Sequence, residues 1–261
     1  MITGLMGVIN YNKRDMKKLI FACAALLLLL NACKRDEYYR DGGLANPNFN
    51  GNMLQYLQAK KVPFDTIAQI VKLAGMESTF SNEDFTFFAP DDEVIKKTIG
   101  TIRTDGLNNF LFYAGKDTVK TLDQISPLIW KRYLQRYMFK GVNRLKDYQQ
   151  IDFDVKSVYP GGLYYSFGGN ISNIGVTYAT ANNIKYIGYR QLNLTYIPDP
   201  SKPNDNWYIN KVASSDIKPT NGVVHTLAYN DTRGGAYFGF NESDFFSDVY
   251  FSGLASSNSS K

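Results

Sequence analysis

Val212-Ala213-Ser214-Ser215-Asp216-Ile217-Lys218-Pro219-Thr220-Asn221-Gly222-Val223-Val224-His225-Thr226-Leu227 is the stretch that decides the fold. Asp216 and Ile217 end an extended approach. Pro219, Thr220, Asn221 and Gly222 predict a turn, because proline fixes φ and Asn-Gly tolerates φ > 0. Val223–Leu227 then reads as a β-rich run with no breaker in it. Period two puts Val223, His225 and Leu227 on one strand face and Val224 and Thr226 on the other. A turn feeding a late, mostly apolar strand marks a strand that closes a core.

Asp216-Ile217 followed by Thr220-Asn221-Gly222-Val223-Val224-His225 resembles the second signature block of the fasciclin (FAS1) domain family. Phe85-Thr86-Phe87-Phe88-Ala89-Pro90-Asp91-Asp92-Glu93-Val94-Ile95 resembles the first, and the two blocks stand in the family's order. The resemblance implies an α+β fold: a single FAS1-like domain with twisted β-sheets in a wedge and helices packed along it. It also implies that Thr86, Phe88, Ala89, Pro90, Asn221, Gly222 and His225 are structural positions. The Asp-Ile pair is associated with adhesion in some animal members, which makes Asp216 and Ile217 candidate contact residues. The other reading of the pair is a turn-forming Asp and a buried Ile. Many members carry a Tyr-His pair tied to adhesion. Here Arg136–Gly141 aligns best and Tyr137 stands at the His position, a departure that speaks against that adhesion mechanism.

Composition narrows the chemistry. The chain has 261 residues with a formal net charge of +5, and Lys13, Arg14, Lys17 and Lys18 against Asp15 supply +3 of it, leaving +2. That balance gives no electrostatic case for nucleic acid. The two cysteines, Cys23 and Cys33, lie in the leader region, so the expected mature domain has no disulfide or thiolate metal cluster. With one histidine, His225, a multi-histidine metal site has no raw material. We expect no metal, no cofactor and no catalytic role. His225 itself reads as a packed residue bonded to neighbouring backbone.

The N-terminus reads as an address. Met16-Lys17-Lys18 is the expected true start, and Leu19–Leu30 is an apolar run behind a basic cluster, too short for the ~20 residues of a spanning helix. It ends in Leu30-Asn31-Ala32-Cys33, which resembles a bacterial lipobox with Cys33 as the lipidated residue. We therefore expect a signal peptide over 1–32, a lipidated Cys and flexible tether over 33–50, a FAS1 domain over 51–230, and a C-terminal extension over 231–261. Lys34-Arg35-Asp36-Glu37 reads either as a surface-export tether or as a plain charged linker. The expected location is a bacterial envelope, by lipid anchor, in the outer membrane.

Within the domain, Met53–Lys61 and Asp65–Ala74 have helical spacing, and Gly75 predicts a C-cap. Thr79–Phe80 and Phe85–Phe88 read as a strand. Asp91, Asp92 and Glu93 sit where carboxylates cap a helix continuing through Val94, Ile95 and Ile99. A helix is predicted over Ser126–Lys140, with Trp130, Tyr133, Leu134, Tyr137 and Met138 inward and Lys131, Arg132, Arg136 and Lys140 on a solvated face. Tyr148–Val158, Leu163–Phe167, Ile184–Tyr189, Gln191–Ile197 and Trp207–Val212 read as strands, and an inserted hairpin or extended loops are expected around 168–206. Tyr237–Phe240 and Phe245–Phe251 read as an extra strand or helix on the core, ahead of a Ser-rich end.

The expected function is a non-catalytic, lipid-anchored binding module mediating adhesion to protein or matrix. The rival is glycan capture on aromatic faces drawn from Tyr164, Tyr165, Tyr178, Tyr186, Tyr189, Tyr196, Trp207 and Tyr208. Trp207, Tyr208 and Tyr196 are its candidate contacts, and the loop Pro198–Asn206 is expected to carry recognition. A third reading, a hydrolase using Asp152 and Asp154 on one strand face, has nothing else to support it.

Overall fold

The computed structural model divides the chain into Met1–Leu44 and a compact unit, Ala45–Lys261. It describes residues 47–229, 238–239 and 242–255, all in the second unit. The signal peptide, Cys33, most of the expected tether and the Ser-rich end lie outside the described residues.

Three helices open the unit: α1 (Met53–Ala59), α2 (Lys61–Leu73) and α3 (Glu77–Asn82). Asn52 and Gln55 form a reciprocal capping box on α1. At the end of α2, Gly75 takes φ +65, with Gly75 N–H donating to Lys72 O and Met76 N–H to Val71 O. This is the left-handed closure that glycine allows. Thr79 and Phe80 fall in α3 and not in a strand, because Phe80 is buried from the helix against Phe85 and Phe87.

Strand β1 (Phe85–Ala89) follows, then α4 (Asp92–Ile99), α5 (Leu107–Tyr113), α6 (Pro127–Leu134) and β2 (Met138–Lys140). Strands β3 (Gly162–Tyr165), β4 (Ile171–Tyr178), β5 (Arg190–Tyr196), β6 (Tyr208–Ile217) and β7 (Gly222–Leu227) complete the sheet, and α7 (Glu242–Ser252) is the last described element. The fold is α+β. Its seven strands run in the order β2-β1-β7-β6-β5-β4-β3, with β1 and β7 parallel and the other pairs antiparallel. Register shifts between Val212 and Ile217 bend β6, so it joins two halves of the sheet. Phe139 bridges Ser166, which brings the outer strands β2 and β3 together at one point.

All five residues of β1 are buried, because the strand pairs parallel to β7 and is covered on both faces; four are apolar, and the fifth, Thr86, spends its hydroxyl on backbone. Gly222 begins β7 at φ +132, and a Cβ there would collide with the carbonyl oxygen of Phe85. Only glycine lets β7 approach β1 this closely.

Several expectations change. The helix expected to Lys140 stops at Leu134, tightens into a 3₁₀ turn over Gln135–Tyr137 and becomes β2. Arg136 is not on a solvated face: it is 6% exposed. Its Nη1 donates to Gly239 O at 2.6 Å, and its guanidinium lies 4.4 Å from the Tyr133 ring centroid and 5.1 Å from that of Tyr196. The core packing expected of the C-terminal aromatics is seen at the described Phe238 and Phe245, which lie buried against Trp130 and Tyr133. Residues before 51 already pair with the domain. Asn48 bridges Lys218, and Lys218 N–H donates to Pro47 O at 2.6 Å. Strands β4 and β5 are interior to the sheet, so the parts of the 168–206 region outside strands are 168–170, 179–189 and 197–206.

Candidate functional site

The two sequence blocks meet through hydrogen bonds. Parallel pairing sets Thr86 opposite Val223 and Phe88 opposite His225. Thr86 Oγ1 donates to Gly141 O at 2.8 Å and accepts the Asn143 N–H at 2.9 Å. His225 is fully enclosed (0% exposed), its ring 4.9 Å from that of Phe88. Its Nδ1 accepts the Asp216 N–H at 3.2 Å, and its Nε2 lies 3.0 Å from Asn143 O. These partners assign the tautomer: Nε2 carries the proton and donates to Asn143. Burial pushes the imidazole pKa down to about 4, against smaller opposing effects of the Asn143 carbonyl and Asp216. The ring is therefore neutral in neutral buffer. It fastens the 141–147 loop and β6 to β7, and it meets no solvent from which a substrate could approach.

Asp216 sits in the left-handed region at φ +64, and its Oδ1 accepts the Leu145 N–H at 2.7 Å. Ile217 is half-buried and packs against the core. Both lie at the bend of β6. Asn221 is a clamp: its Oδ1 accepts the Met53 N–H at 2.7 Å and its Nδ2 donates to Phe80 O and Glu83 O. The acidic run divides its work. Asp91 accepts the Val94 N–H at 2.9 Å as the cap of α4. Asp92 caps the regular part of α2 instead, accepting the N–H groups of Asp65 and Thr66, because Val62 and Pro63 leave helical geometry and free them. Burial raises both carboxyl pKa values.

The proposed aromatic contacts do not form one platform. Tyr196 is buried over Arg136, and Tyr208 pairs with it across β5 and β6 at 6.3 Å. Trp207 is half-buried, with its Nε1 donating to Pro203 O at 2.7 Å. Tyr165 and Tyr189 are exposed, whereas Tyr164, Tyr178 and Tyr186 are half-buried. Asp152 and Asp154 lie in a loop and not on a strand face. Asp152 accepts the Asp154 N–H at 2.9 Å and the Tyr186 hydroxyl at 2.8 Å, and the Tyr186 bond holds its pKa low. Among the described residues, no group of three or more His, Cys, Asp or Glu could hold a metal ion, and no helix is long and apolar enough to cross a membrane.

The expected hairpin is present, but its tip falls where a strand is expected. Ile184–Tyr189 looks like a strand by alternation, yet Asn182, Asn183 and Tyr186 take positive φ and the segment is a turn. Ile184 (57% exposed), Ile187 (50%) and Tyr189 (67%) therefore face solvent, and Tyr186 joins the tip to the 152–159 loop. Asn182-Asn183 was the available signal, since Asn tolerates the left-handed region.

No family model matches this chain, and no curated protein matches it. Among solved structures, a FAS1 domain pair from the insect cell adhesion molecule fasciclin I is similar at a TM-score of 0.45 and 16% identity. The match covers 75% of this chain and 52% of that one, so this chain spans about half the length of that structure.

Proposed function

We propose that this chain is a lipid-anchored fasciclin-domain protein of a bacterial envelope, acting as a non-catalytic binding module in adhesion to a protein or matrix partner. The β4–β5 hairpin tip is the contact surface. The observation behind this reading is the exposure of Ile184, Ile187 and Tyr189 on a turn carried by two interior strands. Exposed apolar side chains grouped on a supported loop suit partner contact better than solvation. Val158 on the neighbouring loop extends the same apolar surface chemistry. The two signature blocks fit a scaffold role, since His225, Asn221 and Thr86 spend their polar groups on backbone. The lipobox at Cys33 supplies the location.

Crosslinking in native membranes followed by capture tests the reading. Wild-type chain is expected to retain a partner that the Ile184→Ser/Ile187→Ser/Tyr189→Ser variant loses while melting like wild type. Equal recovery by both would move the contact away from the tip.

A further inference from the structure

The loop 152–159 has a closed base. Ile151 and Pro160 form an antiparallel bridge, and Asp152 N–H donates to Tyr159 O at 3.0 Å. The loop lies on the sheet face opposite the main core. Ile151 fills the space over Gly175, where a Cβ would come within 2.7 Å of it. Beyond the base, the loop is held by half-buried side chains. Asp152 holds the Tyr186 hydroxyl, Lys156 Nζ donates to Asn204 O at 3.1 Å and lies 4.2 Å from the Trp207 ring centroid, and Phe153 meets Trp207 edge-on at 6.2 Å.

The sheet on this side is polar. Leu192, Leu194 and Tyr196 of β5 point into the core, so Asn193 and Thr195 point the other way by strand alternation. Both are 1% exposed. Among the described residues, Asn193 Oδ1 and Thr195 Oγ1 have no hydrogen-bond partner. Asn173, across from Thr195, donates to Pro160 O at 2.8 Å. Buried acceptors without partners are uncommon in folded proteins, and they ask for a donor.

We propose that 152–159 is a flap hinged at Ile151–Pro160 over a subsite for a neutral, hydroxyl-rich ligand, a carbohydrate by chemical class. Raising the flap uncovers Asn193 Oδ1 and Thr195 Oγ1 as acceptors for ligand hydroxyls. It also withdraws Lys156 from the Trp207 ring, whose face then stacks on a sugar ring. The acceptors are uncharged, which does not suit an ionic ligand, and they are polar, which does not suit an apolar one. Lys211, across from Asn193, is exposed at the rim and supplies a further donor. This subsite lies beyond the hairpin-tip reading, and the failure of either leaves the other standing.

The test is calorimetric titration of the full chain in detergent with neutral gluco-, xylo- and manno-oligosaccharides. A variant with 152–159 replaced by Gly-Gly closes the Ile151–Pro160 pair with a two-residue turn. It is expected to bind at least one probe about tenfold more tightly than wild type, and Thr195→Val or Trp207→Ala in that background to lose about tenfold. A natively folded flap deletion that binds none of the probes, or binding indifferent to both substitutions, overturns the proposal. Should the deletion fail to fold, Asp152→Asn/Lys156→Ala loosens the flap without removing it. That variant is expected to gain roughly threefold in affinity, and no gain overturns the proposal equally.

Discussion

His225 Nδ1 accepts the backbone N–H of Asp216 at 3.2 Å, which ties the bend of β6 to the middle of β7. A protonated imidazole cannot accept that bond, so the contact sets the pH response of the fold. The folded imidazole has a pKa of about 4 and the unfolded one about 6.5, so the unfolded chain takes up the proton first as pH falls. The stabilisation is complete above pH 6.5 and is lost between there and about pH 4, by on the order of 3 kcal/mol. His225→Gln removes this titration. Asp91 and Asp92, whose raised folded values act in the opposite sense, are common to both proteins and cancel in the difference. Urea unfolding at pH 7.5, 5.5 and 4 checks it. The wild-type advantage is expected to shrink with acid, and a constant difference would contradict the assignment.

Asn221→Ala is expected to destabilise by about 3 kcal/mol, because it strands the Met53 N–H and removes the donor to Phe80 O and Glu83 O. Asn221→Asp keeps the acceptor but turns a carboxylate toward two carbonyls, so its loss is expected to be at least as large at neutral pH. Chemical denaturation measures both, and a loss below about 1 kcal/mol would refute the clamp.

Arg136→Lys is expected to loosen the C-terminal helix. Lysine cannot reproduce a planar group lying against Tyr133 and Tyr196 while donating to Gly239 O. Hydrogen exchange at Phe245–Val249 is expected to rise by about tenfold. Unchanged protection would show that Phe238 and Phe245 hold the helix without help from Arg136.

Cys33→Ser is expected to abolish incorporation of labelled palmitate and leave the precursor uncut. Continued labelling would contradict the lipobox reading and leave the fold untouched.

The central strands were legible because their sequences allow one environment. Phe85–Ala89 is apolar at every position but Thr86, and Asn221-Gly222 states its turn locally. The end of α6 was not legible. Gln135–Lys140 is compatible with helix, and its pairing with Phe85–Phe87 across the fold decides for strand. Arg136 carried no local sign of burial, because the Tyr133 ring one turn back does not by itself bury it, and Gly239 O and the Tyr196 ring, which complete its surroundings, come from distant chain. Asp216 and Ile217 were visible as a pair, but their duty to Leu145 N–H and the core depends on a loop far away in sequence. The same holds for Tyr196, whose burial follows from which face of β5 meets the core.

The most direct test of the binding-module account is a titration of the crosslinked partner against three proteins: wild type, the Ile184→Ser/Ile187→Ser/Tyr189→Ser variant and Asp216→Ala. The account expects the tip variant to keep its melting temperature and lose at least about tenfold in affinity, equivalent to ~1.4 kcal/mol. It expects Asp216→Ala to melt lower and, where folded, to bind as wild type. Full affinity in the tip variant together with lost affinity in well-folded Asp216→Ala would contradict it and place recognition at the bend of β6.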